Sequence, residues 1–181
     1  MGVVFPRETS VTSRRVGVDI ARLFAVLVGA VLLQTTVAPF IRILGANPDF
    51  VLIIVVCVGL LRGASWGAVF GFVAGTLVSL ILFEPLGLSS FVYVVLGYIA
   101  GRYAETADLS SGFAPIFSVF CASLLGMVLS ALMQFLLGRE APFAYVVVRI
   151  IIPAIVLDTL LAAPIYVLAR LWLREGVSRA T

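Results

Sequence analysis

The chain has 181 residues, of which 62% are hydrophobic and only 12% charged, and its mean hydropathy is +1.22. Soluble domains average about 45–50% apolar and about 25% charged residues, so this composition excludes a soluble globular domain, a disordered tail and a nucleic-acid binder. The net charge of +3 rests on twelve cations, all arginine, which flank apolar runs as membrane topology requires and form no phosphate-binding stripe.

Two further features of composition narrow the chemistry. Histidine is absent, which removes Ser-His-Asp and Cys-His hydrolases, histidine-ligated metals and a histidine pH switch. Cys57 and Cys121 lie inside apolar runs without a CxxC and read as buried structural thiols. No cofactor and no metal is expected.

Residues 1–19, with Arg7, Arg14 and Arg15, read as a cytoplasmic arm. Residues 20–175 read as a transmembrane domain of six helices, and 176–181 as a cytoplasmic tail. Arg14-Arg15 superficially resembles a twin-arginine export signal, but Val16-Gly17-Val18-Asp19 follows it poorly, and five more apolar runs lie beyond.

The first span is predicted from Leu23 to Ile41. Asn47-Pro48 then has the chemistry of a helix start, a cap with proline in the first turn. The second span, Phe50 to Leu61, is closed by Arg62-Gly63, and the third, Ala64 to Phe83, by Glu84-Pro85. A fourth, from Leu86 to Tyr103, is interrupted by Gly97 and Gly101. The fifth runs from Phe113 to Leu137. The last, Phe143 to Leu173, exceeds the roughly 20 residues a bilayer needs, and Pro153 and Pro164 predict a kink or an interfacial start.

Arginine placement sets the orientation. With both termini cytoplasmic, Arg7, Arg14, Arg15, Arg22, Arg62, Arg102, Arg170, Arg174 and Arg179 face inward, against Arg42 and Arg139 outside. Arg149 lies in the last span. Six spans, N-in and C-in, follow. The loops are too short for a soluble domain and there is no internal repeat, so an inverted-repeat transporter is not supported.

Small residues recur every four positions: Ala21, Ala25 and Gly29; Gly67, Gly71, Gly75 and Ser79; Ala122, Gly126 and Ser130. Such faces let helices approach closely in lipid. They serve either packing within the bundle or docking of a partner's transmembrane helix, most plausibly on the first or third span.

Polar groups at membrane depth are the other candidates. Asp158 shares a face with Ala154 and Ala162, so it is expected to point into the bundle. It serves either as a structural hydrogen-bonding group or as a contact for substrate, proton or partner. Arg149, nine residues earlier, is about 13 Å away along a helix, too far to pair with it directly, and is expected to reach the outer interface. Gln34 and Gln134 read as interhelical links, and Glu84 and Arg102 as rim residues that snorkel.

An intramembrane enzyme would need a nucleophile and base or paired carboxylates. The chain has no GxSxG or GxGD-like constellation, and Asp158 has no evident acidic mate in the sequence. A small transporter subunit needs a polar cavity, for which Gln34, Asp158 and Arg149 are thin material. A scaffold needs only shaped helix faces, which the sequence supplies.

Leu33-Gln34-Thr35-Thr36 followed by Asn47-Pro48-Asp49-Phe50-Val51-Leu52-Ile53 resembles the opening of the rod-shape-determining MreD family. So does Trp66-Gly67-Ala68-Val69-Phe70-Gly71-Phe72-Val73-Ala74-Gly75, leading through Pro85-Leu86-Gly87 to Gly97-Tyr98-Ile99-Ala100-Gly101. Where many members carry an aspartate four residues after the glycine matching Gly75, this chain has Ser79.

The resemblance implies a non-enzymatic component of the bacterial inner membrane. It would bind the single-span protein MreC and help couple the MreB cytoskeleton to a SEDS glycosyltransferase and a class B penicillin-binding protein. It also implies a bundle similar to the substrate-binding subunits of energy-coupling-factor transporters. That makes a vitamin- or lipid-binding transporter subunit the alternative reading. Ala21, Ala25 and Gly29, or Gly67, Gly71 and Gly75, are the candidate faces for MreC, with the cytoplasmic arginines set against anionic lipid.

Overall fold

The computed structural model describes residues 9–41, 47–83, 87–106, 114–138 and 152–174. Among these the chain forms six α-helices, a single 3-10 turn and no strand. They are α1 (Thr9–Thr36), α2 (Phe50–Arg62), α3 (Ala64–Leu82), α4 (Leu88–Thr106), α5 (Ala114–Leu136) and α6 (Ile152–Arg174). The turn, Ala38–Phe40, follows α1 with Pro39 in its first positions.

Helix α1 reaches back to Thr9, so the second half of the polar arm is helical. The start expected for the last span at Phe143 lies outside the described residues, as do Arg149, Glu84, Arg42 and Arg139. Within α6, Pro153 sits in the first turn and Pro164 inside the helix, where it lacks the N–H that would bond the carbonyl of Leu160.

By length and composition four stretches can cross a bilayer: Ile20–Phe40, Ala64–Leu82, Pro115–Leu136 and Ile152–Trp172. The two remaining helices differ for legible reasons. Helix α4 is long enough but carries Ser89, Ser90, Tyr93 and Arg102. Helix α2 is intensely apolar but has only 13 residues, about 20 Å against a hydrocarbon core of about 30 Å.

The architecture explains α2. Helices α1, α3, α4, α5 and α6 form a closed ring, each touching the next, and α2 runs through the middle in contact with all five. Every residue from Phe50 to Leu60 is buried. A helix that is hydrophobic all round must be buried all round, and its sequence, without a polar side chain between Phe50 and Leu61, satisfies that condition. Gly63 joins α2 to α3 in one residue, with φ of 92°, a backbone region that glycine enters without a Cβ clash.

The contacts of α4 with α3 and with α2 converge on glycine. A Cβ on Gly67 of α3 would enter the backbone carbonyl of Gly97 on α4, and one on Gly97 would enter that of Gly67. Gly59 of α2 meets the same point, its Cβ position lying 2.6 Å from the oxygen of Gly97. Gly97 and Gly101 were expected to interrupt α4. The helix runs unbroken through both, because the penalty for glycine in a helix, about 1 kcal/mol, is offset by backbone-to-backbone packing that no other residue permits.

The two thiols part company. Cys57 is fully buried in α2, whereas Cys121 is exposed on α5, against the expectation that both are buried. Its helix turns Ala122 and Ser123 inward, and Cys121 falls one position off that face. A maleimide is expected to label Cys121 in detergent-solubilised protein and to reach Cys57 only after unfolding. Mass spectrometry of the two tryptic sites checks this.

Candidate functional site

A helix that begins below the membrane surface has a problem at its first turn. Its leading N–H groups lack intrahelical partners, and no water is at hand to satisfy them in lipid. The chain solves this for α2 with side chains from three other positions. Asp49 is the N-cap, its Oδ1 accepting the Leu52 N–H at 2.9 Å. The Phe50 N–H donates to Gln34 Oε1 of α1 at 2.8 Å, and the Asp49 N–H donates to Asp158 Oδ1 of α6 at 2.8 Å. The cap is therefore Asp49, two residues after the expected Asn47, and Pro48 precedes the helix and is not in its first turn.

The same groups tie the ring together. Tyr93 of α4 donates to Asp49 Oδ2 at 2.8 Å, and Ser123 of α5 donates to Asp158 Oδ2 at 2.9 Å. Gln34 also donates to the Pro48 carbonyl at 3.3 Å. Helices α1, α4, α5 and α6 thus all meet at the start of α2. Each of the four carboxylate oxygens accepts a hydrogen bond from the protein. Two carboxyl groups stand at the positive end of the α2 dipole, where negative charge is favoured.

Asp158 is 0% exposed, and Ala154 and Ala162 are buried beside it, so its face points inward as expected. The expectation that it lacks an acidic neighbour is corrected: Asp49 is in direct hydrogen-bond contact through its backbone. The sequence reading missed Asp49 and Tyr93. The signal for Asp49 was its place after Asn-Pro at the start of a 13-residue apolar helix; Tyr93 had none. Gln34 is an interhelical link, but Gln134, expected to be one too, is exposed near the C-terminal end of α5. Among the described residues no group of three or more Cys, Asp and Glu side chains gathers to hold a metal.

The candidate partner faces have different surroundings. On α3, Gly67, Gly71, Gly75 and Ser79 are buried. Cβ atoms on Gly71 and Gly75 would enter the backbone at Tyr93 and at Ser89–Ser90 of α4. This stripe is filled by the bundle itself. On α1, Ala21 and Ala25 are exposed, Gly29 is half-buried, and a Cβ on Gly29 meets nothing within 4 Å. Leu23, Leu27, Ala30 and Val31 occupy the opposite, buried side of α1. The α1 stripe thus faces away from the core.

At the C-terminal end of α4 Arg102 is exposed, as expected of a rim residue, and forms an ion pair with Glu105 at 2.6 Å. The other oxygen of Glu105 accepts the Ala64 N–H at 3.4 Å, supporting the start of α3.

Fold and site together define a multi-pass helical membrane protein in which Gln34, Asp49 and Asp158 join helices and whose outer faces are apolar. The family model of the rod shape-determining protein MreD matches residues 13–175. The chain therefore belongs to the MreD family, and rod-shape determination is the role that membership supports. No curated protein and no solved structure matches it.

Proposed function

We propose that this protein is a non-enzymatic scaffold of the cell-elongation complex in the bacterial inner membrane. All six helices cross or enter the bilayer with both termini cytoplasmic. The α1 face of Ala21, Ala25 and Gly29 receives the transmembrane helix of an MreC-like single-span protein. Through that partner the bundle helps couple the MreB cytoskeleton to the SEDS glycosyltransferase and class B penicillin-binding protein. The cytoplasmic arginines, set against anionic lipid, fix its tilt.

The observation that carries the docking assignment is the contrast between two similar stripes. The α3 stripe is filled by α4, whereas the α1 stripe is open and its glycine has room for a neighbour. Small-residue faces in lipid gain by close backbone approach, and on α1 that approach is still available to another chain.

The same contrast sets the test. Leucine at Gly71 would drive a side chain into the Tyr93 backbone, so loss of partner there would report loss of fold. Leucine at Ala25 or Gly29 points into open space. These variants are expected to stay as stable as the parent in mild detergent while recovery of the MreC-like partner falls at least about tenfold, a shift of roughly 1.4 kcal/mol. Undiminished recovery from both variants would exclude α1 as the dock. A vitamin-binding subunit would need a cavity near the bundle axis, and that axis is filled by α2, whose residues from Phe50 to Leu60 are buried.

A further inference from the structure

We propose that the groove between α4 and α5 holds one acyl chain of a membrane glycerophospholipid, with the ester carbonyl of that chain at the hydroxyl of Ser118. The groove follows from side-chain size. Ala100 of α4 with Ser118 and Ala122 of α5 are small and buried and form its floor, while Ile99, Phe117 and Leu125 stand exposed as its walls. It encloses about 160 Å³, close to the roughly 150 Å³ in which an apolar cavity holds a benzene ring. That admits a single hydrocarbon chain and no helix.

The two ends of the groove differ. Leu96 lies against Gly126, and from there α4 runs seven residues, about 10 Å, to Tyr103, while α5 runs back to Ser118. Leu96 and Leu125 line the apolar end, and Tyr103 and Ser118 bring hydroxyls to the other. Ser118 is only three residues inside the span Pro115–Leu136, about 5 Å along the helix. That is the depth at which hydrocarbon gives way to ester groups.

Ser118 is the group that asks for a ligand. It is 8% exposed and lines the groove. The hydroxyls of Thr35, Thr76, Thr106 and Thr159 each bond the carbonyl four residues back, the usual resort of a helical hydroxyl. Ser118 makes no such bond, and its hydroxyl has no partner among the described residues. A buried hydroxyl without a partner is costly, and an ester carbonyl is the acceptor that a lipid brings to that depth.

Charge agrees with this occupant. The phosphate would lie further out, at the N-terminal end of α5, whose first turn has no acidic residue and where the helix dipole favours negative charge. A protein helix fits less well. Phe117, Phe120, Leu124 and Val128 make the exposed side of α5 bulky, and close helix approach in lipid needs small residues.

Cys121 also lines the groove and is exposed, so it reports occupancy. Full-length protein stripped of lipid in maltoside is given dioleoyl phosphatidylcholine or its diether analogue, which has the same chains and no carbonyl. Retained lipid is counted by native mass spectrometry, and maleimide labelling of Cys121 is timed. The ester lipid is expected to slow labelling several-fold and to be retained about fivefold better than the ether. Ser118→Ala is expected to lose that preference while retaining the ether lipid as the parent does, a cycle that isolates the hydroxyl-to-carbonyl contact.

Ala122→Leu, which fills the floor, is expected to release both lipids. If it does not fold, Cys121→Phe fills the groove from its exposed side and is read by retention alone. Equal retention of ester and ether lipids by the parent, or an unchanged preference in Ser118→Ala, would overturn the proposal. So would protection of Cys121 that appears only with a co-purified protein and not with lipid, since that gives the groove to a partner chain.

Discussion

Replacing Asp158 with alanine is expected to destabilise the bundle by about 2–6 kcal/mol, the summed cost of two buried donors losing their acceptor. Those donors are the Asp49 N–H and the Ser123 hydroxyl, 2.8 and 2.9 Å from the carboxylate. Asp158 is fully buried, so solvent cannot replace it. Ser123→Ala removes one donor together with one of its partner's bonds, and a loss of about 1 kcal/mol is expected. In the double variant the serine penalty should vanish, since its partner is already gone; the cycle gives their coupling directly. Unfolding in mild detergent, followed by circular dichroism, is the readout. A stable Asp158→Ala protein with normal partner capture would show that α2 starts in contact with water.

The second large effect is expected at Gly97. Alanine there places a methyl group inside the Gly67 backbone and close to Val55, so α3 and α4 must separate. A loss of about 1–3 kcal/mol is expected, as for overpacking in a tight interior. The control is Gly126→Ala on α5. Its Cβ meets side-chain methyl carbons, those of Leu96 and Leu52 at 3.0 and 3.1 Å and that of Val92 at 3.9 Å, and the flexible leucine ends can move aside. Equal loss at both positions would refute the view that the α3–α4 contact is special. The readout is again thermal unfolding, with aggregation measured by size-exclusion chromatography.

Much of this arrangement was legible in the chain. Helix ends fell close to their expected places wherever punctuation was chemical: Gly63 after Arg62, Phe50 after Asn-Pro-Asp, the glycine ladder of α3. The inward face of Asp158 followed from its alanine neighbours. Membership of the MreD family was legible too, in the order of apolar and glycine-rich motifs.

The rest depended on three-dimensional neighbours. Spacing alone gave Gly67, Gly71 and Gly75 the same standing as Ala21, Ala25 and Gly29, since a four-residue period does not say what lies across it. The ring order answered that for α3 by placing α4 against it. Likewise Asp49 and Asp158 are 109 residues apart, and nothing local announces their meeting. The physical clue was the length of α2: a helix too short to reach water at both ends must find caps inside. Gly97 and Gly101 oppose a helix by propensity, and only their backbone packing against Gly67 and Ala64 reconciles them with one.

Photocrosslinking in native membranes tests the docking assignment most directly. A benzophenone side chain is placed at Ala25 on α1 and, in a second strain, at Phe117 on the exposed face of α5. The expected result is a crosslink from position 25 to a single-span MreC-like protein, with none from position 117. A crosslink to that protein from 117 alone, or capture at 25 of a coupling subunit of an ATP-driven transporter, would contradict the account.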